Sequence, residues 1–236
     1  MPINDISTKE YHPILDVSGR LLLNVKINLS TDKEISFLQN LTFKDIGQEL
    51  SNDAAKKCFW INIYNSHFQM MAIDATISRN KIYKTKKVNI GGHHFSLDDI
   101  EHGILRRYRW KWSLGYLPDL FTSRLIKDLA VDLVDSRIHF ALNCGAASCP
   151  PIAFYSFLTL EQQLETAMTS FVESETSIDH DKKIIRTNRI FQWYVGDFGG
   201  KKGILKLLSD VFQKDLSNYN IIYNPYNWNA KLGNYS

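Results

Sequence analysis

The residue types best suited to chemistry lie close together in residues 139–149, which contain a histidine, an asparagine and two cysteines. This stretch begins in a short apolar run, continues through a loop of small residues and is followed by two prolines. Reactive side chains are often held at the end of a rigid element in this way. A thiol beside an imidazole is typical of nucleophilic catalysis, so Cys149 or Cys144 with His139 is the first candidate site.

The apolar run at residues 138–143 predicts a buried strand, whose successive side chains face opposite sides. His139 and Asn143 would then share one face, and Cys144 would end the strand on the face towards the core. On this prediction Cys144 is a small buried hydrophobic residue, and Cys149 is an exposed loop thiol that an imidazole can activate. His139 is either a catalytic base or a core histidine with satisfied hydrogen bonds.

A second polar group lies on a long helix predicted over residues 52–77, which is apolar on almost every side. Helical spacing places Cys58, Asn62, Asn65 and Gln69 on one narrow stripe. A buried amide without a partner costs roughly 1–3 kcal/mol. The stripe is therefore either a satisfied hydrogen-bond network or the polar wall of a pocket.

A carboxylate stands in the middle of an apolar helix face, at Glu101 in a helix predicted over residues 97–109. The helix starts with a capping box at residues 96–99. A buried carboxylate must be paired or have a raised pKa, so Glu101 is either an anchor for a basic residue, a general acid/base or the group that orients a histidine. His102 and Arg106 lie on the polar flank, as surface residues or as groups that bind a substrate.

The composition of the 236-residue chain is that of a globular protein, with 44% hydrophobic residues and a formal net charge of +3. This charge is too small to indicate nucleic-acid binding. No apolar run has the length of a membrane span, and the N-terminus lacks the pattern of a signal peptide. Three cysteines argue against a disulfide framework, so we expect a cytoplasmic protein with no cofactor, no metal, and neither nucleic acid nor membrane as a partner.

The order of predicted elements indicates an α+β fold, because helices outnumber strands and regular βαβ alternation is absent. Residues 8–50 read as short helices, and residues 88–95 as a hairpin. Further helices are predicted over residues 124–134, 158–172 and 201–216, and further strands over residues 183–187 and 221–223. We expect a helix-rich single domain, with a helical part at residues 1–50, and with a core at residues 50–236 in which a small, mostly antiparallel sheet accompanies a central buried helix.

Several motifs together resemble one known family, that of the domain of unknown function 547 (DUF547). They are CFWINIYN at residues 58–65, FSLDDIEH at 95–102, HFALNCGAASCP at 139–150, IFQWY at 190–194, DFG at 197–199 and PYNWN at 225–229. The resemblance extends from about residue 50 to the C-terminus, and it implies no particular reaction. The family usually has alanine at the position of Cys58, a rival thiol, and some plant members have serine at that of Cys149 while keeping the cysteine that matches Cys144.

Two functions remain open on these observations. The first is a thiol-dependent hydrolase or acyl transferase acting on an amide or ester. Cys149 or Cys144 would attack, His139 would act as the base, Glu101 would orient His139, and Asn62 would polarise the acyl oxygen. Asn65, His102, Arg106 and Asn143 would bind the substrate, an unidentified small molecule or peptide.

The second function is a non-catalytic module that binds a peptide or a partner protein. It is suggested by the many aromatic residues, including Trp110, Trp112, Trp193 and Trp228. A metal site built from Glu101, His102 and His139 is a third and weaker alternative.

Overall fold

Short amphipathic helices form the first part of the chain, of which the computed structural model describes residues 12–235. Helix α1 spans Pro13–Lys26, α2 spans Asp32–Gln39 and α3 spans Phe43–Glu49. The prediction of helical runs up to residue 50 is confirmed from residue 12 onwards, and residues 8–11 lie outside the described residues. Helix α1 packs against the long helix that follows, and α2 and α3 pack against α1.

The central helix α4 spans Asp53–Ile73 and is buried on nearly all sides, as predicted. It begins where the Asn52 side chain accepts a hydrogen bond from the backbone N–H of Ala55 at 2.9 Å. It ends earlier than expected because the Asp74 carboxylate accepts the backbone N–H of Thr76 at 2.9 Å, which favours a turn over a further helical turn. One side of α4 packs against α1, and another packs against the wide helix described next.

The predicted hairpin is present, with β1 at Val88–Ile90 and β2 at His93–Phe95 paired antiparallel. A capping box follows it, in which the Asp99 carboxylate accepts the Ser96 backbone N–H and the Ser96 hydroxyl accepts that of Asp99. The chain then winds into a π-helix over Asp99–Leu105. The sequence predicted a longer, ordinary helix to residue 109, and this prediction is wrong in both length and winding.

The wider turn of the π-helix moves Arg106 to the inside of the molecule. The backbone N–H of Arg106 donates to the carbonyl of Glu101 five residues earlier, at 2.9 Å. The placement of Arg106 on a polar flank assumed the spacing of an α-helix, and it is wrong: the Arg106 side chain has no exposed surface.

The predicted strand at residues 138–143 is absent, and the chain there forms a 3₁₀ helix over Ser136–Phe140. Its backbone bonds are local, with the N–H of Ala141 donating to the carbonyl of Ile138 at 2.9 Å. Ile138 packs in one hydrophobic core and Phe140 in another. His139 lies between them, which strand alternation could not have indicated.

Most of the remaining elements follow the sequence predictions more closely, although the strand at Ser177–Asp179 and the helix at Ile190–Trp193 were not predicted. They are α5 at Arg124–Leu129, α6 at Leu160–Glu175, β3 at Ser177–Asp179, β4 at Ile184–Thr187, α7 at Ile190–Trp193, α8 at Gly200–Phe212 and β5 at Asn220–Tyr223. Helix α5 is shorter than expected because the backbone N–H of Val131 already bonds to the carbonyl of Ile104. The second sheet has the order β3-β4-β5, antiparallel and then parallel. The predicted α+β class is confirmed.

Two hydrophobic cores result from this arrangement. The first core contains side chains from the four helices α1, α2, α3 and α4, from the hairpin and from the π-helix. The second joins the later half of α6 to β4, α7 and α8. Within residues 12–235, no helix has both the length and the apolarity that a membrane span requires.

Candidate functional site

Five of the predicted site residues line one cavity of about 500 Å³ where the two cores meet. They are Glu101, His102, His139, Cys144 and Cys149. Aromatic side chains form much of the remaining wall, which is contributed by Tyr64, Tyr83, Trp112, Trp193, Tyr194, Tyr226 and Trp228. We call this space the central cavity. The structure thus brings an acid, two imidazoles and two cysteines to one cavity.

His139 is held in the wall of the central cavity by Asp197. Its Nε2 atom lies 2.8 Å from Oδ2 of Asp197, and neither side chain has appreciable exposed surface. The imidazole is stacked on the ring of Tyr194, with 3.8 Å between the ring centroids. A carboxylate that fixes one nitrogen of a histidine leaves the other nitrogen available to reacting groups.

Asp197, rather than Glu101, is therefore the carboxylate that orients the histidine. Asp197 lies 58 residues beyond His139 in the sequence and was not identified by the sequence analysis. The DFG motif at residues 197–199 was the only signal for it. It is brought to the cavity by the turn after α7, where its backbone N–H donates to the carbonyl of Tyr194 at 2.9 Å.

The buried cation Arg106 pairs with the same carboxylate from the other side. Its Nε donates to Oδ2 of Asp197 at 2.6 Å, and its Nη1 donates to Nδ1 of His102 at 2.8 Å. Burial raises the pKa of Asp197, but the hydrogen bonds from His139 and Arg106 outweigh burial and leave it below its ordinary value. Asp197 is thus a carboxylate at neutral pH.

The protonation of His139 follows from these partners. Burial lowers the pKa of His139, and its hydrogen bond to Asp197 offsets this only in part. The imidazole is consequently neutral at pH 7. Because Asp197 is a pure acceptor, the proton resides on Nε2, and Nδ1 is left with a lone pair. A neutral histidine with a free lone pair beside a cavity can take up a proton.

Glu101 is held as an anion by two phenol groups. Its Oε1 accepts from the Tyr194 hydroxyl at 2.7 Å, and its Oε2 accepts from the Tyr64 hydroxyl at 3.2 Å. Burial raises the pKa of Glu101, but His102, the Tyr194 hydroxyl and Arg106 outweigh burial, so the pKa lies below its ordinary value. Glu101 thus contributes a fixed negative charge to the cavity wall.

The two cavity cysteines form a disulfide between Cys144 and Cys149, which the sequence analysis did not predict. Cys149 is buried and Cys144 is partly exposed, the reverse of the expected arrangement. The backbone N–H of Cys144 donates to Sγ of Cys149 at 2.8 Å. The hydroxyl of Tyr226 contacts both sulfurs, at 3.2 Å from that of Cys144 and 3.3 Å from that of Cys149.

The C-terminal segment supplies Tyr226 by pairing with the cysteine loop. The backbone N–H of Ala147 donates to the carbonyl of Asn229 at 2.8 Å. Rings of Trp193 and Trp228 pack against Tyr226, with centroids 4.8 and 4.6 Å away. Tyr226 was not predicted as a site residue, although it lies in the PYNWN motif at residues 225–229.

Asn62 and Asn65 lie outside the cavity, and the amide of each is hydrogen-bonded to backbone groups. The Nδ2 of Asn62 donates to the carbonyl of Tyr155 at 2.8 Å, and its Oδ1 accepts the N–H of the same residue at 3.1 Å. Asn65 likewise donates to the carbonyl of Ala141 and accepts the N–H of Asn143, both at 2.9 Å. Both amides have the satisfied structural role that the sequence analysis left open, and the expected approach of Asn62 to the acyl group is not found.

Asn143 and Arg106 also do not line the cavity. Asn143 donates to the carbonyl of Pro150 at 2.7 Å and accepts the N–H of Gly145 at 2.8 Å, so it shapes the loop that carries both cysteines. Arg106 acts behind the wall through Asp197 and His102. Of the four residues predicted to bind the substrate, only His102 lines the cavity and can contact a substrate there.

The rival thiol Cys58 is buried in α4, with Sγ 3.4 Å from the carbonyl of Tyr155. Burial raises the pKa of Cys58 to about 12, which makes it a poor nucleophile. Among the residues that the structure describes, no group of three or more His, Cys, Asp and Glu side chains is placed to hold a metal ion.

Comparison with known proteins identifies one family. The sequence model of a family described as "Protein of unknown function, DUF547" matches residues 48–172, which is more than half of the chain. The match includes Glu101, His139 and both cavity cysteines, whereas Asp197 and Tyr226 lie beyond it. No curated protein and no solved structure matches the chain.

Proposed function

This chain belongs to the DUF547 family, and we propose that it is a thiol-dependent hydrolase or acyl transferase that acts on an amide or ester. The observation that carries the proposal is that His139, backed by Asp197, and the pair Cys144 and Cys149 line one cavity of about 500 Å³. A nucleophile, a base and a carboxylate that orients the base are the parts that such a reaction needs.

The active form requires the disulfide to be opened. An external dithiol supplies two electrons by thiol–disulfide exchange, becomes a disulfide itself and leaves Cys144 and Cys149 as thiols. Cys149 is the better nucleophile of the two, because its sulfur accepts the backbone N–H of Cys144 in addition to the Tyr226 hydroxyl, which contacts both sulfurs. Such donors favour the thiolate over the thiol.

The acyl transfer then uses the lone pair on Nδ1 of His139. This nitrogen takes the proton of the Cys149 thiol, and the sulfur attacks the acyl carbon of the substrate. The Tyr226 hydroxyl donates to the oxygen on which negative charge develops, in place of Asn62. His139 passes its proton to the leaving amine or alcohol, and a thioester remains on Cys149.

The second half of the reaction returns the enzyme to its starting state. Water or an acceptor nucleophile gives a proton to His139 and attacks the thioester. The carbon–sulfur bond breaks, the acid or the transferred acyl product leaves, and the proton returns to the sulfur of Cys149. Throughout, Asp197 keeps Nε2 of His139 protonated and so keeps Nδ1 able to accept a proton.

The proposal is tested by the release of p-nitrophenol from p-nitrophenyl acetate. We expect reduced protein to hydrolyse this ester, and unreduced protein to be inactive. Cys149→Ala and His139→Gln should each lower the rate by about a hundredfold or more, because each removes a group that reacts or transfers a proton. Cys58→Ala is the matched control and should keep full activity, since that thiol is buried. Activity that survives in a Cys144→Ala/Cys149→Ala double variant would contradict the proposal.

A binding module is the second candidate, and it is favoured by a specific observation. The disulfide leaves neither cavity sulfur as a thiol, while Trp193, Tyr226 and Trp228 pack together along the cavity wall. This function predicts that a peptide or protein partner is lost in Trp228→Ala and retained in the double cysteine variant. If the double cysteine variant lost the partner and Trp228→Ala kept it, a binding function that does not depend on the sulfurs would be excluded.

A further inference from the structure

An exposed apolar surface lies next to the central cavity, on residues 110–121, which we call the apolar loop. Seven of its large apolar side chains are exposed: Trp110, Trp112, Leu114, Tyr116, Leu117, Leu120 and Phe121. Phe121 is 97% exposed, Leu120 is 79% exposed and Trp112 is 75% exposed. Single exposed apolar residues are ordinary, but so many in one short loop usually mark a surface that another body covers.

The backbone of the apolar loop is fixed. The N–H of Trp110 donates to the carbonyl of Leu117 at 2.9 Å, and that of Tyr116 donates to Ser113 at 3.0 Å. The loop is also bonded to the site, because the N–H of Gly196 donates to the carbonyl of Leu114 at 2.8 Å. The apolar side chains are therefore held outward by an ordered backbone.

The apolar loop also lies within a basic part of the chain. Residues 107–129 contain five basic and two acidic residues, a net charge of +3, which equals the formal net charge of the whole chain. Arg107, Arg124 and Lys127 are exposed on the segments that flank the loop. A second basic run, at residues 79–87, contains five basic residues and no acidic one, so the loop is one of two basic regions of the chain.

We propose that the apolar loop docks this protein on the surface of an anionic lipid membrane. Trp and Tyr side chains favour the region of the lipid headgroups, Leu and Phe insert among the acyl chains, and flanking basic residues are attracted to anionic headgroups. The loop combines all three properties. A surface-bound loop needs no spanning helix, so the sequence argument against a membrane partner, which used the length of apolar runs, does not apply to it.

The docked orientation has a consequence for the cavity. Lys111, Trp112 and Leu114 belong to the loop and also line the central cavity. Contact of the loop with lipid therefore brings the cavity wall to the membrane surface. The docking itself is independent of the reaction proposed above, because none of the residues that carry it takes part in the proton transfers.

Co-sedimentation of the full chain with vesicles tests the inference. We expect binding to phosphatidylglycerol vesicles, and binding to phosphatidylcholine vesicles that is weaker by about tenfold or more, because several basic groups face the anionic surface. Leu120→Ser/Phe121→Ser should lower binding to phosphatidylglycerol by about tenfold or more, since both side chains lose burial in lipid. Arg124→Gln/Lys127→Gln should reduce the preference for the anionic vesicles.

The matched control is Leu158→Ser, because Leu158 is 77% exposed on a different part of the surface. It should bind as the unchanged protein does. The inference is overturned if the unchanged protein sediments with neither vesicle, or if Leu158→Ser loses as much binding as the loop variant. It is also overturned if size-exclusion chromatography shows a dimer that Leu120→Ser/Phe121→Ser separates without any vesicle binding, since a second copy would then cover the loop.

Discussion

At the scale of single residues, the best-supported feature of the site is the chain of contacts from His139 through Asp197 to Arg106. Each group is buried, and each depends on the next for its charge state or its hydrogen bonds. The buried arginine would be costly without its carboxylate, and the carboxylate holds the histidine in one tautomer. The chain is thus both a structural support and the source of the free nitrogen that the proposed reaction uses.

Asp197→Asn tests both roles of this carboxylate. The variant keeps the size of the side chain but leaves Arg106 buried without its counter-ion. We expect the free energy of unfolding to fall by about 3 kcal/mol or more, measured by urea denaturation. Because Asp197 raises the pKa of His139, the acidic limb of the ester hydrolysis profile should also move to lower pH in the variant.

Asp210→Asn is the matched control for that substitution. Asp210 pairs with Lys206 at 2.7 Å, but both side chains are largely exposed. Its loss should change the free energy of unfolding by no more than about 0.5 kcal/mol. Equal effects of the two substitutions would contradict the view that the Asp197 pair supports the fold.

The sequence indicated part of this residue-scale picture. Glu101 was singled out because a carboxylate interrupts an apolar helix face, and it is buried and lines the cavity. His139 and the cysteines were singled out by proximity in the chain. The His139–Asp197 contact joins residues 58 positions apart, so no local pattern could have predicted it. The polar stripe on α4 could not place Asn62 at the cavity, because such a stripe does not show which neighbouring element each side of the helix contacts.

At the scale of elements, two windings were not predictable from apolar spacing. The π-helix at Asp99–Leu105 and the 3₁₀ helix at Ser136–Phe140 both replace regular elements that the sequence favoured. Short apolar runs fit several backbone periods, and tertiary packing decides among them. Both unexpected windings carry cavity residues, Glu101 and His139. The long helices α4 and α6 were predictable because their apolar spacing continues over many turns.

The apolar loop and the turn that carries Asp197 are coupled through Gly115. Its φ is +90°, and a Cβ atom there would lie 2.4 Å from Oδ1 of Asp197 and 2.8 Å from its backbone nitrogen. We expect Gly115→Ala to lower the free energy of unfolding by roughly 3 kcal/mol, from backbone strain together with a clash, and to displace Asp197. Urea denaturation measures the first effect and ester hydrolysis the second.

Gly92→Ala separates the clash from the backbone strain. Gly92 also has a positive φ, of +75°, but a Cβ there would meet nothing within 4 Å. This variant should lose only about 1 kcal/mol and keep full activity. If Gly115→Ala were no more harmful than Gly92→Ala, close packing between the loop and Asp197 would not be the reason for the glycine.

At the scale of the whole molecule, the site lies where two hydrophobic cores meet. The 3₁₀ helix sends Ile138 into one core and Phe140 into the other, and His139 is left at the boundary. Burial on both sides excludes water from the ionisable groups, which strengthens their mutual interactions. The stability of the molecule also depends on pH, because three histidines with little exposed surface have lowered pKa values, namely His67 on α4 and the cavity histidines His102 and His139.

His67 allows the size of this pH dependence to be stated. Burial lowers its pKa from 6.5 to about 4, and its Nδ1 lies 2.9 Å from the carbonyl of Ile63, to which the neutral ring donates. As pH falls from 6.5 to about 4, the unfolded chain takes up a proton that the folded chain does not. His67 therefore reduces the free energy of unfolding by about 3 kcal/mol across this window and contributes no pH dependence above it. His102 and His139 act in the same direction.

Urea denaturation at a series of pH values measures this effect. The free energy of unfolding should decline on acidification below pH 6.5, and His67→Gln should make the decline shallower, because a side chain that does not titrate replaces one that does. A slope equally steep in His67→Gln would show that burial of His67 does not set the acid sensitivity. The decline would then come from the other groups whose pKa values folding lowers, namely the two cavity histidines and buried carboxylates such as Asp197, and His139→Gln would measure the share of His139.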